Sequence, residues 1–63
     1  MKVNNYTAFQ TLSFKDGYQL FIHGVNGYSV DAVLYTPNQS DYVEYEDVDC
    51  SVIDALKSVH NGG

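Results

Sequence analysis

Arginine and tryptophan are missing from the sequence, cysteine, proline and methionine occur once each, and only three lysines oppose eight acids. Each shortage excludes something. A single cysteine, Cys50, can neither close an internal disulfide nor furnish the four ligands of a structural zinc, so the two usual staples of very small domains are lacking. The scattered cations Lys2, Lys15 and Lys57, in a chain of formal net charge −5, argue against direct binding to nucleic acid or anionic lipid, because counterion release needs clustered Lys and Arg. No run approaches the ~20 apolar residues of a membrane span, and Met1 to Thr7 carries neither the hydrophobic segment nor the cleavage signal of a secretory peptide. The expected location is the cytoplasm.

What is present suits a small globular fold. Hydrophobic residues make 44% and aromatics 14% of 63 residues, enough for a core with rings left over outside it. Residues 1–63 form a single domain. Its burial is worth on the order of 90 kcal/mol and ordering the chain costs about the same, so the fold is marginal alone. A partner chain, like or unlike, is the natural source of further stability.

Local signals order the chain. Lys15-Asp16-Gly17 and Val25-Asn26-Gly27 stand between alternating apolar runs, the pattern of β-hairpins. Two-residue turns would mix apolar and polar residues on both faces. Three-residue loops with glycine in the left-handed region instead pair Phe14 with Tyr18, Leu12 with Leu20 and Gln10 with Ile22, then Ile22 with Val30, Leu20 with Ala32 and Tyr18 with Leu34. One face then gathers Ala8, Leu12, Phe14, Tyr18, Leu20, Ile22, Tyr28, Val30, Ala32 and Leu34, with Gln10 as a polar intruder. Thr36-Pro37-Asn38-Gln39-Ser40 reads as a loop, and Asp41 to Val48 as a fourth strand whose acids suit a sheet edge. From Ser51 the period becomes helical: Ser51 with Asp54 resembles a capping box, Val52, Ala55, Leu56 and Val59 form an apolar stripe, and Asn61-Gly62-Gly63 ends the run. The expected architecture is α+β, a small antiparallel β-meander of three to four strands with one C-terminal helix on one face, ββββα.

Two surfaces are candidates for function. Asp41, Glu44, Glu46, Asp47, Asp49 and Asp54 hold six of the eight acids without an intervening base. Such a run commonly is a solvated edge and helix start. Interleaved with Tyr42 and Tyr45, however, carboxylates two apart on a strand lie roughly 6.6 Å from each other, near the spacing of nucleic-acid phosphates. The second surface is the outward sheet face, where Phe9, Phe21, His23, Val33 and Tyr35 cluster and a ten-residue helix cannot reach. It would bind a partner or a second copy of the chain.

Catalysis and metal binding find little support. Cys50 with His23 or His60 lacks any nucleophile–base signature and reads as a packing residue. Glu44 and Glu46 have no evident cleft to shift their pKa values. His23, Asp31 and Asp49 match no ligand spacing. No cofactor is expected.

Three resemblances bear on this. In size, charge and aromatic content the chain resembles small inhibitors of phages and other mobile elements, such as anti-CRISPR and anti-restriction proteins, which implies occlusion of a basic groove by a nucleic-acid mimic in the host cytoplasm. Asp16-Gly17-Tyr18 opening a strand, with Asp49-Cys50-Ser51-Val52-Ile53-Asp54-Ala55-Leu56 opening the helix, resembles the sheet-plus-helix half of HicB-type antitoxins. Gly62-Gly63 is similar to the end of ubiquitin-like sulfur carriers, but those have a strand before the diglycine where this chain has a predicted helix.

The sequence-based expectation is thus a non-enzymatic, acidic binding protein. Asp41, Tyr42, Glu44, Tyr45, Glu46, Asp47 and Asp49 dock on the basic site of a larger nucleic-acid-handling enzyme. The alternative is an antitoxin-like or homodimeric interaction module using Phe9, Phe21, His23, Val33 and Tyr35.

Overall fold

The computed structural model of the protein describes residues 4–62. Lys2 and Gly63 lie outside the described residues. Four strands, β1 (Gln10–Ser13), β2 (Gln19–Asn26), β3 (Ser29–Tyr35) and β4 (Tyr42–Asp49), form one antiparallel sheet in the order β1-β2-β3-β4, followed by helix α1 (Cys50–His60). The expected ββββα meander is the observed one.

The first hairpin has the expected register, Gln10 opposite Ile22 and Leu12 opposite Leu20. Phe14 N–H donates to the Tyr18 carbonyl (2.9 Å), and Gly17 N–H returns to the Phe14 carbonyl (3.1 Å). Gly17 makes this three-residue loop feasible, because its φ of 94° is open to glycine at little cost. Asp16 Oδ1 braces the loop by accepting from Tyr18 N–H (3.1 Å).

The second hairpin departs from expectation. Asn26 faces Ser29 across a two-residue turn in which only Gly27 has positive φ (62°), the pattern of a type II′ turn. Ile22 consequently pairs with Ala32 rather than Val30, and Leu20 with Leu34 rather than Ala32. A two-residue turn alone would send the wrong side chains inward. One extra residue in β2, His23, bulges between the Ile22–Ala32 and Gly24–Asp31 pairs and restores the alternation. The register is therefore two residues from the expected one, and the inward set survives.

β4 carries a second bulge. Ala32 pairs with Tyr45 but Val30 with Val48, so Glu46 and Asp47 together stand opposite Asp31. Asp47 takes a φ of 52°, and its N–H donates to Asp31 Oδ1 (2.7 Å). On its other flank Asp31 lies over Gly24, where an added Cβ would come within 2.8 Å of Asp31 Oδ2. One aspartate on β3 thus faces the bulges of both neighbouring strands.

The core lies between the inner sheet face and α1. Leu20, Ile22, Val30, Ala32 and Leu34 come from the central strands, Phe14 from the first turn, and Cys50 and Ile53 from the helix, with Leu12, Tyr18, Tyr45, Val48 and Leu56 packed around them. Tyr28, expected inward, is half exposed at the second turn. Tyr6 enters from the segment before β1, positioned by Asn4, whose Oδ1 accepts from Tyr6 N–H (3.0 Å) and whose Nδ2 donates to the Gly27 carbonyl (2.8 Å). The Tyr6 hydroxyl donates to Asp54 of the helix, and the Lys57 ammonium sits 5.5 Å from its ring centre.

The helix is capped and turned differently from the expectation. Its N-cap is Asp49, whose Oδ1 accepts from Ser51 N–H (2.9 Å), and Asp54 serves Tyr6 instead of a capping box. Cys50, Ile53 and Leu56 face the sheet, while Val52, Ala55 and Val59 look outward. Tethers at both ends of the helix choose this face. At its start Cys50 N–H donates to the Tyr28 carbonyl (2.8 Å); at its end Asn61 Oδ1 accepts from Lys15 N–H (2.9 Å) and His60 Nδ1 donates to Asp16 Oδ2 (2.7 Å). The His60 ring lies against Phe14 and Tyr18, with centroids 5.5 and 4.4 Å away. Among the described residues no helix is long and apolar enough to cross a membrane.

Candidate functional site

The acidic run becomes the edge of the sheet, and strand alternation divides it. Tyr42 pairs with Tyr35 and Glu44 with Val33, so both belong to the outer face; Val43 and Tyr45 pair with Leu34 and Ala32 and belong to the inner one. Tyr45 packs against the core and cannot stack beside Tyr42 on an external partner. Residues three apart on a strand point to opposite faces, so this separation was legible in the sequence.

The carboxylates also differ in what they already do. Asp41 Oδ1 accepts from Tyr42 N–H (2.8 Å) at the start of β4, Asp49 caps the helix, and Asp31 closes the β4 bulge. Glu44, Glu46 and Asp47 are exposed, and among the described residues their side chains make no hydrogen bond or ion pair. These three form the uncommitted negative charge of the edge.

The second candidate group does assemble. Phe9 and Phe21 rings lie 6.5 Å apart, Phe21 and His23 rings 6.3 Å apart, and Val33 stands opposite Phe21 in the neighbouring strand. Tyr35 and Tyr42 extend the group to the acidic edge, with ring centroids 6.3 Å apart. The helix covers only the opposite face, so these rings meet solvent: Phe9 is 78% and Tyr42 56% exposed. Phe9 also holds a φ of 65°, a conformation costing an ordinary residue about 1–2 kcal/mol. Its N–H donates to the Ile22 carbonyl, continuing the β1–β2 ladder, so pairing compensates the strain and the ring stays outside.

Sequence reasoning did not single out a depression of about 320 Å³ on this face, lined by Thr11, Gln19, Phe21, Tyr35 and Gln39. Thr11 and Gln19 were legible as outward residues, since each adjoins an inward leucine on its strand. Gln39 was not, because only the loop conformation, with φ of 58°, carries its side chain back so that Nε2 donates to Gln19 Oε1 (3.1 Å).

The residues considered for catalysis are dispersed. Cys50 is a free thiol buried on the inner side of the first turn of the helix, His23 stands on the outer face, and His60 is held at the helix end. Among the described residues no three His, Cys, Asp or Glu side chains converge as metal ligands. The titrations of Tyr6 and Asp16 are displaced. Burial, then the hydrogen bond to Asp54 and its charge, push the Tyr6 hydroxyl well above the usual tyrosine range. Desolvation would raise the Asp16 carboxyl, but hydrogen bonds from His60 and Tyr18 N–H, with the His60 charge, outweigh it and hold the pKa below the usual carboxylate value. Both groups fasten the helix, and neither lies on the acidic edge or the aromatic face. No protein-family model matches the chain, and no curated protein or solved structure matches it either.

Proposed function

We propose that the protein is a non-enzymatic binding protein that lays its acidic edge, together with the adjoining aromatic face, on the basic site of a larger nucleic-acid-handling enzyme and occludes it. The observation that carries this reading is the alignment of Glu44, Glu46 and Asp47, exposed and uncommitted, along the strand that also turns Tyr42 outward beside Tyr35. In such a complex the carboxylates take the place of phosphates on Lys and Arg, and the tyrosine rings take the place of bases. Asp41 and Asp49, engaged in local backbone bonds, contribute field rather than contacts; Tyr45 contributes packing alone. Complementary charge accelerates encounter and makes association fall with salt.

The test is charge reversal at Glu44 and Glu46. With both changed to Lys, affinity for basic-groove enzymes of the source cell should fall at least tenfold, with the circular dichroism spectrum unchanged. Unaltered binding to every candidate would sink the reading.

A second reading rests on Phe9, whose ring is exposed although its backbone is strained. Here Phe9, Phe21, His23, Val33 and Tyr35 join two copies of the chain, and the acids maintain solubility. Sedimentation over a concentration series separates the two, since a monomer at every concentration eliminates the homodimer. An acidic antitoxin seated on a basic toxin follows the first reading's docking chemistry with a different partner.

A further inference from the structure

The depression bounded by Thr11, Gln19, Phe21, Tyr35 and Gln39 is chemically selective. We infer that it is an anchor pocket for an arginine side chain of the partner, an inference that rests on the basic-partner reading above. Its volume of about 320 Å³ lies at the low end of the ~300–1,000 Å³ of small-ligand sites, room for one side chain and little more. Phe21 and Tyr35 come from neighbouring strands and are offset by one pair, Phe21 opposite Val33 and Tyr35 opposite Gln19, so their rings bound the hollow diagonally.

The polar groups of the lining include acceptors that no recorded bond occupies. Gln39 Nε2 donates to Gln19 Oε1 (3.1 Å) and Gln19 Nε2 to Ser13 Oγ (3.5 Å), so both amide nitrogens have a partner, while Gln39 Oε1 and the Thr11 hydroxyl can accept from an occupant. Rings together with carbonyl and hydroxyl oxygens suit a planar donor-rich cation, and guanidinium both stacks on aromatic faces and donates in its own plane. A lysine ammonium is more strongly hydrated and cannot stack.

The surrounding charge selects the same occupant. Glu44 flanks Val33 one strand away, and Asp31, Glu46 and Asp47 continue the negative edge. Lys57 lies against Tyr6 by the helix, and Lys15 belongs to the turn fastened to the helix end. Among the described residues His23 is the basic group of this face; it stacks on Phe21 two positions along β2 from it, whereas the pocket extends the other way, towards Gln19. An anionic ligand is disfavoured here, and a neutral ring would gain nothing from the field.

Oligo-arginine and oligo-lysine peptides of equal length provide the probes, titrated into the isotopically labelled protein and followed by nuclear magnetic resonance. Both should bind through the acidic edge. The arginine peptide should bind about fivefold tighter and alone shift the side-chain amides of Gln19 and Gln39. Tyr35→Leu should erase that preference and leave the lysine affinity as it was; should Tyr35→Leu fail to fold, Gln39→Ala, at an exposed loop position, should likewise weaken the arginine preference, read from the affinities and the Gln19 amide. Equal affinities with unmoved Gln19 and Gln39 signals overturn the pocket but not the docking surface. If neither peptide binds, the basic-partner reading falls as well. A free nucleoside that shifts these amides more strongly than the arginine peptide overturns the cation assignment.

Discussion

Replacing Ile53 by alanine tests the orientation of the helix, on which the whole inner layer depends. Ile53 is fully buried, and Ile→Ala truncation in a core costs about 2–5 kcal/mol through lost transfer energy and the cavity left behind. A chain of this length has about 3–9 kcal/mol of stability in total, so the substitution removes about a fifth of it or more. At about 4–8 °C per kcal/mol for a domain of this size, the melting temperature should fall by at least about 8 °C. Ile53→Val, costing about 0.5–1.5 kcal/mol, provides a milder step if the alanine variant is too unstable to measure. Val59 lies about a third of a turn around the helix and is 73% exposed, so Val59→Ala should stay within about 0.5 kcal/mol, helped by alanine's better helix propensity. Urea and thermal denaturation followed by far-ultraviolet circular dichroism measure both. A Val59→Ala cost equal to that of Ile53→Ala would mean that the Val52–Ala55–Val59 stripe faces the sheet, and would refute the inward placement of Cys50, Ile53 and Leu56.

Three further outcomes follow from the same contacts. Because the folded-state pKa of Asp16 is lowered, its contribution is present above the ordinary carboxylate value of about 3.9 and lost as pH falls through the folded value; the urea midpoint should therefore drop in acid, and less steeply in Asp16→Asn, whereas an identical acid limb would contradict the His60 clamp. The Tyr6 pKa is raised, so its contribution is complete below about pH 10 and declines as pH rises beyond that; spectrophotometric titration should find one late tyrosine that vanishes in Tyr6→Phe, and a variant with all the late absorbance retained would place the effect elsewhere. Gly24→Ala should cost about 1–3 kcal/mol by displacing Asp31 from the Asp47 N–H, and much less in an Asp31→Ala background; equal costs in the two backgrounds would break the link.

The fold was legible wherever local chemistry and face alternation agreed. Asp16-Gly17 specifies the first loop outright, since the glycine supplies the left-handed residue and the aspartate its brace. Asn26-Gly27 marks the second turn but not its length, because His23 offsets in the strand what the turn subtracts, and a bulge leaves no trace in an apolar pattern. Helical spacing fits both Cys50–Ile53–Leu56 and Val52–Ala55–Val59; tethers at Tyr28, Lys15 and Asp16 decide between them, and all three are distant in sequence. Tyr6 was invisible because its partners, Asp54 and Lys57, arrive from the far end of the chain. Of the candidate surfaces, the aromatic face assembles as alternation predicts, whereas the acidic run separates into capping carboxylates and uncommitted ones through backbone bonds that composition cannot reveal.

The two bulges that face Asp31 have a mechanical meaning. Each adds one residue to a strand, and they flank β3 at the same level, so the local bend and added twist that bulges bring fall together on both sides of Asp31. A bulge locally bends its strand, so this level divides the outer face into two parts. Phe21, Val33, Tyr35, Tyr42 and Glu44 belong to one, and the Gly27 turn with the end of β4 belongs to the other. A binding partner that spans both parts must follow the bend set between them, and Asp31, which accepts from the Asp47 N–H and lies over Gly24, stands where the two bulges meet.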